Sequence, residues 1–516
     1  MNIQEKRKKL FFIAMLAITF FVVFSFIVLP VQTDIKVFFG NAKLASLDMQ
    51  HNWLLRPLKT WELKGVGNRT IFLWIGSLSG LFFKYSQIAF VVMSKFIYIV
   101  VAAVLVLIST IWQNNDKRIR HFCIIMTILF MCGIECHMQA EMSTVILMIF
   151  AAGLFCLKDK IYFSLIAGIV FGLVFFIKSA TIIMIISLMA LAVYFFKDKV
   201  NNKRLITHLV CMSVGALLVV ALGLVLIKAV YPTEIKDMLD ASKFQSSILS
   251  GGFSIKNIVV QFAQTFAKTS IRTIPMLIAV VISIIYIIVK WIKTKKHRNL
   301  FLLMAFMVPA LYVVALNSFF SYHYYLFMFP LAILWSNKEK CLHITRKNMA
   351  ISCAAFALIF VLYLALGSVI SPSSIRFLKA ERTAQAKNAA AVEKVNSGDN
   401  ILYLDSGVGS YILGQKSYSK YYYPLPIQRK KIAEEKQTAY KKMVNDINSY
   451  NGKYITYEKT YMEKDGNLVK DEESIKSVLD KYCHKVATIY YAPNIDLSPD
   501  SKQDLIYSID VLEREK

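Results

Sequence analysis

The sequence predicts an α-helical polytopic membrane protein of about eleven transmembrane helices, N-terminus inside and C-terminus outside, with a small C-terminal extracytoplasmic α/β domain. Three observations carry that prediction. The 516-residue chain is 56% hydrophobic, only 18% charged and has a mean hydropathy of +0.51, too apolar for a soluble protein of this length. Apolar runs close to the length needed to cross about 30 Å of hydrocarbon recur through residues 1–370. Basic clusters fall in alternate loops between those runs, the pattern of cytoplasmic connections.

The spans are read at approximately 10–30, 88–113, 121–136, 141–157, 161–178, 179–196, 205–231, 273–293, 300–317, 322–336 and 349–370. The basic segments KRKK (6–9), DKRIRH (116–121), KDK (158–160), KDKVNNKR (197–204), KTKKHR (293–298) and NKEKCLHITRK (337–347) then share one side. The N-terminal MNIQEKRKKL leads into a long apolar run without a small-residue cleavage site, so it reads as a retained signal-anchor helix. Two outer loops are long, 31–87 and 232–272. The first includes TIFLWIGSLSGLFF, which suits an interfacial or re-entrant helix. Residues 1–370 thus form the membrane domain and 371–516 a separate α/β domain. In the latter, NILYLDSG (400–407) and KYITYEK (453–459) read as strands, KKMVNDINSY and EESIKSVLDKY as helices.

Charge and cysteine usage exclude other classes. Residues 371–516 carry 23 Lys and Arg against 20 Asp and Glu, so nearly all of the formal +27 lies in the membrane part, in short loops that orient helices. Nucleic acid is not an expected partner; the lipid bilayer is. Six of eight cysteines lie within or beside apolar runs, with no disulfide spacing, and Cys483 has no partner in the tail. Cys132, Glu135, Cys136 and His137 cluster, but lack the paired spacing of a zinc site. The sequon NRT (68–70) matters only in a eukaryotic secretory pathway. No internal repeat is visible, which counts against an inverted-repeat transporter.

The polar residues at outer span ends are the functional candidates. Asp34 in PVQTDIKVFFGNAKL lies just beyond the first span; it is a solvated loop acid or partner of Lys36, or the working carboxylate of a surface active site. Glu141 opens the span HMQAEMSTVILMIF, either pairing with a nearby cation or orienting a ligand. Lys178 stands between two apolar runs, where a lysine either snorkels or binds an anion. Arg272 precedes the eighth span, and His323 sits in SYHYY among Tyr322, Tyr324 and Tyr325, which suit an interfacial aromatic belt.

Taken in order, these features resemble the polytopic glycosyltransferases of the C superfamily, the group of protein O-mannosyltransferases and bacterial aminoarabinose transferases (family 39-like). Asp34 occupies the place of their acidic catalytic residue after the first helix. WELKGVGNRTIFLWIGSLSG (61–80), with Glu62 and Lys64, is similar to their Lys-Gly-Pro stretch before an interfacial helix, although Val66 replaces the proline. Glu141, GIVFGLVFFIKSAT (168–181) with Lys178, SYHYYLFMFPLAIL (321–334) with His323, and DSGVGSYILGQKSYSKYYYPLP (405–426) follow in family order.

The resemblance implies sugar transfer from a polyprenyl-phosphate donor to a glycan, lipid or protein acceptor at the outer face of a bacterial plasma membrane. Asp34 would be the base, with Glu141 and Glu62 as further catalytic candidates. Lys178, Arg272, His323 and Lys64 would hold phosphate or substrate. No cofactor is expected. A divalent cation is compatible with the chemistry, but no DxD motif in the first outer loop requires one. Two other readings stay open: a lipid or glycan flippase or transporter, and a non-catalytic envelope assembly protein or receptor working through its tail.

Overall fold

A helix that is apolar all round must cover its surface with other helices or with lipid, because no face of it suits water. The computed structural model describes residues 140–157, 160–197, 200–233, 274–315, 372–395, 400–419, 433–462, 472–492 and 506–515. Isolated positions within 71–82, 235–239, 323–334 and beside the later segments are also described. Chain contacts divide the protein into two units, Met1–Leu29, Ser94–Leu222 and Ser254–Ser371 against Pro30–Met93, Gly223–Phe253 and Pro372–Lys516.

The first unit contains α1 (Ala140–Leu157), α2 (Ile161–Gly172), two 3₁₀ stretches (Leu173–Phe176 and Ser179–Met184) and α3 (Ile185–Phe196). It continues with most of α4 (Asn202–Val230), then α5 (Ile274–Thr294) and α6 (Arg298–Ala315). The segments Ser179–Phe196 and Asn202–Val230, expected as spans 179–196 and 205–231, are long and apolar enough to cross a membrane. At 29 residues, α4 reaches about 43 Å. Only 22% of its most apolar window is buried, and Ile206, Val210, Val214, Leu217 and Leu222 stand exposed along it. The spans expected at 10–30, 88–113, 121–136 and 349–370 lie outside the described residues.

Glycines set how closely α2 and α4 approach. A Cβ on Gly168 would lie 2.0 Å from the Met212 carbonyl oxygen, and one on Gly215 would lie 2.3 Å from that of Leu165. Gly168 and Gly172 are four apart, the small-residue spacing that lets two helix backbones touch. Ser164 and His208 Nδ1 share a 2.8 Å hydrogen bond across the same seam, and the His208 ring stacks on Phe196 at 4.6 Å. The seam therefore joins polar and close-packed contacts.

Helices α3 and α6 run antiparallel. The Lys197 ammonium at the end of α3 lies 5.3 Å from the Phe301 ring near the start of α6, while Arg298 lies 5.9 Å from the Tyr194 ring. Midway, Ser187 Oγ donates to the Ala305 carbonyl at 2.9 Å. Lys197 and Arg298, from the two basic segments 197–204 and 293–298, thus lie at one end of the helix pair. One detail departs from expectation. Residues 161–178 and 179–196 are not two unbroken α-helices, because the ladder gives way to 3₁₀ geometry on both sides of Lys178, whose backbone is extended (φ −158°, ψ 104°).

In the second unit, α7 (Pro372–Val395) precedes a four-stranded sheet of order β1-β2-β4-β3. Its strands are β1 (Leu402–Leu404), β2 (Tyr454–Tyr457), β3 (Cys483–Tyr491) and β4 (Tyr507–Arg514). β1 and β2 pair in parallel; β4 is antiparallel to both β2 and β3. Helices α8 (Val408–Leu413) and α9 (Ala433–Ser449) lie between β1 and β2, and α10 (Lys459–Met462) and α11 (Ile475–Asp480) between β2 and β3. The sequence reading located β1, β2, α9 and α11 but not β3 or β4, although HKVATIYY carries the β-branched and aromatic residues of a strand. Asn388 of α7 ties down β3, donating to the Tyr490 carbonyl at 2.8 Å and accepting from its N–H at 2.7 Å.

Replacing Gly168 by Val forces α2 and α4 apart. The expected loss is about 1–3 kcal/mol, read as a lower melting temperature of the full-length protein in detergent.

Candidate active site

Glu141 enters the first turn of α1, where exposed backbone N–H groups favour a carboxylate. Its side chain is only 1% exposed and would be costly there alone. Two partners resolve the cost. The Lys178 ammonium donates to Glu141 Oε1, and His323 Nε2 lies 3.3 Å from the same oxygen. His323 is buried with 3₁₀ backbone geometry, and its ring meets Tyr312 of α6 edge-on at 6.0 Å. Lys178 Nζ stands 5.8 Å from the centroid of that same tyrosine ring.

Local sequence prepares the meeting. Thr144 and Thr181 each follow a charged member by three residues. Thr181 Oγ1 donates to the Lys178 carbonyl at 2.7 Å, which uses its one proton, so Thr144 is the donor in the 3.1 Å bond between the two hydroxyls. That bond clamps the turn after Glu141 to the turn after Lys178. The extended backbone at Lys178 follows from it: its carbonyl is held by Thr181 while its ammonium is drawn to Glu141.

Of the residues singled out in the sequence, Glu141, Lys178 and His323 come together here. Asp34, Glu62, Lys64 and Arg272 lie outside the described residues, as do Cys132, Glu135, Cys136, His137, Tyr322, Tyr324 and Tyr325. Sequence reasoning missed Tyr312, Thr144 and Thr181. The threonine spacing, Glu-x-x-Thr and Lys-x-x-Thr, was a signal that could have found two of them. The arrangement also sharpens roles. Lys178 is the more accessible member of the pair, 18% exposed against 1%, so an approaching anion meets the ammonium before the carboxylate. Glu141 holds Lys178 and His323 at one carboxylate oxygen. A cation-binding role fits Glu141 poorly, because an ammonium already occupies the carboxylate oxygen that a metal would use; among the described residues no three His, Cys, Asp or Glu side chains gather.

The second unit holds another pair of buried acids, at the C-terminal ends of the parallel strands. Asp405 Oδ1 accepts from the N–H groups of Gly407 (2.5 Å) and Gly409 (3.3 Å), and Oδ2 from Thr456 Oγ1 at 2.5 Å. Gly407 adopts φ 91°, and a Cβ on Gly409 would fall 2.4 Å from Asp405 Oδ2, so both glycines are required by the acid's cradle. Glu458 accepts from the Ser406 N–H at 2.9 Å and from the Tyr491 hydroxyl. Burial first, then the Asp405 charge, push the Glu458 carboxyl above its ordinary 4.5; the bonds from Tyr491 and Ser406 oppose them. These acids are consumed by internal donors and serve the fold of the unit.

Two outcomes follow. Lys178→Met leaves a buried carboxylate without its cation and is expected to cost about 3–5 kcal/mol. Glu141→Gln in addition should recover part of that loss, a coupling readable in a double-mutant cycle of melting temperatures. For Glu458, the folded state binds its proton more tightly than the unfolded chain does. Its contribution is therefore fully present below pH 4.5 and lost as pH rises through the higher folded-state value. Glu458→Gln should remove that fall from the stability–pH curve of the full-length protein.

Compared with known proteins, this chain matches no family model, no curated protein and no solved structure.

Proposed function

We propose that this protein is an integral membrane glycosyltransferase that moves a sugar from a polyprenyl-phosphate donor to a cell-envelope acceptor at the outer face of a bacterial plasma membrane. The observation that carries the reading is the convergence of Glu141, Lys178 and His323, which sequence position alone had assigned to one side of the bilayer. They gather at the Tyr312 end of α6, away from the Arg298 end where Lys197 lies. Basic loops favour the cytoplasmic side, which supports an outer placement of the cluster. The apolar, exposed length of α4 supports a lipid surrounding.

The chemistry needs a base, a phosphate clamp and a fixed geometry. The acceptor O–H attacks the anomeric carbon from the face opposite the lipid phosphate, and the C–O bond to phosphate breaks with its electrons. The configuration inverts, and the acceptor proton passes to Asp34. Lys178, held rigid by Glu141, meets the negative charge that grows on the departing phosphate, and His323 lines the same position. Arg272 and Lys64 are further phosphate contacts implied by the family resemblance, and Glu62 a further acid.

The test is transfer from a panel of labelled polyprenyl-phosphate sugars in membranes holding wild-type, Asp34→Asn or Lys178→Met protein. Wild type should transfer from at least one donor; Asp34→Asn should lose about 10²–10⁴-fold and Lys178→Met about 10²-fold. Equal transfer by wild type and Asp34→Asn would remove the proposed base. No transfer from any donor by folded protein would overturn the enzyme reading. Lipid movement in proteoliposomes, or partner binding through 371–516, would then identify the replacement.

A further inference from the structure

The opposite end of the first unit carries a groove that sugar transfer does not use. It encloses about 470 Å³ and is lined by Lys197 and His297 together with Leu300, Leu303, Met304 and Met307 of α6. Those four apolar residues fall at i, i+3, i+4 and i+7, one face of the helix, and run about 10 Å away from the cations. Met304 and Met307 are 46% and 44% exposed. The Lys197 ammonium leans over the Phe301 ring at the same mouth, 5.3 Å from its centroid.

The segments that flank that mouth are strongly basic. Lys293, Lys295, Lys296, Lys203 and Arg204 are all exposed close by in sequence, and segments 197–204 and 293–298 contain a single acid, Asp198. A ligand that complements this surface is anionic at one end and apolar for the rest of its length. A water-soluble anion would make no use of the apolar stripe, and a zwitterionic lipid would make little use of the cations. Methionine side chains adapt to a flexible chain without a fixed shape.

We propose that this groove holds one acyl chain of an anionic phospholipid, with its phosphate against Lys197 and His297 on the cytoplasmic leaflet. This site rests on the membrane reading given above, but not on the transferase reading. It would anchor the α3–α6 end by the attraction that basic surfaces have for acidic lipid headgroups.

The experiment uses full-length protein in detergent, exposed to phosphatidylglycerol or phosphatidylcholine, with retained lipid counted by native mass spectrometry. Phosphatidylglycerol should be retained in clear preference to phosphatidylcholine. Lys197→Gln with His297→Gln should weaken that retention, by roughly fivefold for the lysine charge removed. Met304→Trp, which fills the groove and leaves the charges in place, should lower retention as well. Equal retention of both lipids, or a double variant that holds phosphatidylglycerol as wild type does, would overturn the site. A protein that stays in solution without detergent and retains neither lipid would overturn the membrane reading with it. Absence of sugar transfer, with phosphatidylglycerol still bound, would leave this site standing.

Discussion

A buried carboxylate and a part-buried ammonium at the ends of apolar helices constrain much of the first unit. Neither Glu141 nor Lys178 would be stable in that setting alone, since removing a charge from water costs several kcal/mol unless another group compensates it. Their contact therefore fixes the start of α1 against the junction between α2 and α3. It also accounts for the loss of regular helix at Lys178, where 3₁₀ turns flank a single extended residue. His323 and Tyr312 join the same point from later in the chain.

Around this pair, close packing and charge separation cooperate. Gly168, Gly172 and Gly215 bring α2 and α4 into backbone contact, a device suited to helices that gain nothing from hiding apolar surface from lipid. The antiparallel α3 and α6 then keep two chemically different ends apart. One gathers Lys197, His297 and Arg298 beside an apolar stripe; the other gathers Glu141, Lys178 and His323 beneath an aromatic ring. A single pair of helices thus presents a cation-rich end and a compensated polar cluster at opposite limits of its length.

The second unit treats acids differently. Asp405 and Glu458 are as buried as Glu141, yet among the described residues their donors are backbone N–H groups, Thr456 and Tyr491. A sheet edge with two glycines beside it can turn several N–H groups toward one carboxylate. At Glu141 the partners are side chains instead, Lys178 and His323. The first unit thus compensates its buried acid with an ion pair where the α/β unit relies on backbone geometry.

Much was legible in the sequence. Long apolar runs, basic punctuation and the change of composition after residue 371 are local properties, and they located α1, α3, α4, α5, α6, β1, β2, α9 and α11. Glu141, Lys178 and His323 were visible because each is a polar residue at the limit of an apolar run. The strands β3 and β4 were missed in a tail dominated by turns and charges, where a short alternation is easily read as loop. That Glu141, Lys178 and His323 share one oxygen was decided only by the tertiary structure. Apolar periodicity specifies that a segment is helical, but a span apolar on every face specifies no rotation about its own axis. Rotation comes from contacts between segments 37 residues apart and more, from Thr144 on Thr181 and Gly168 on Met212.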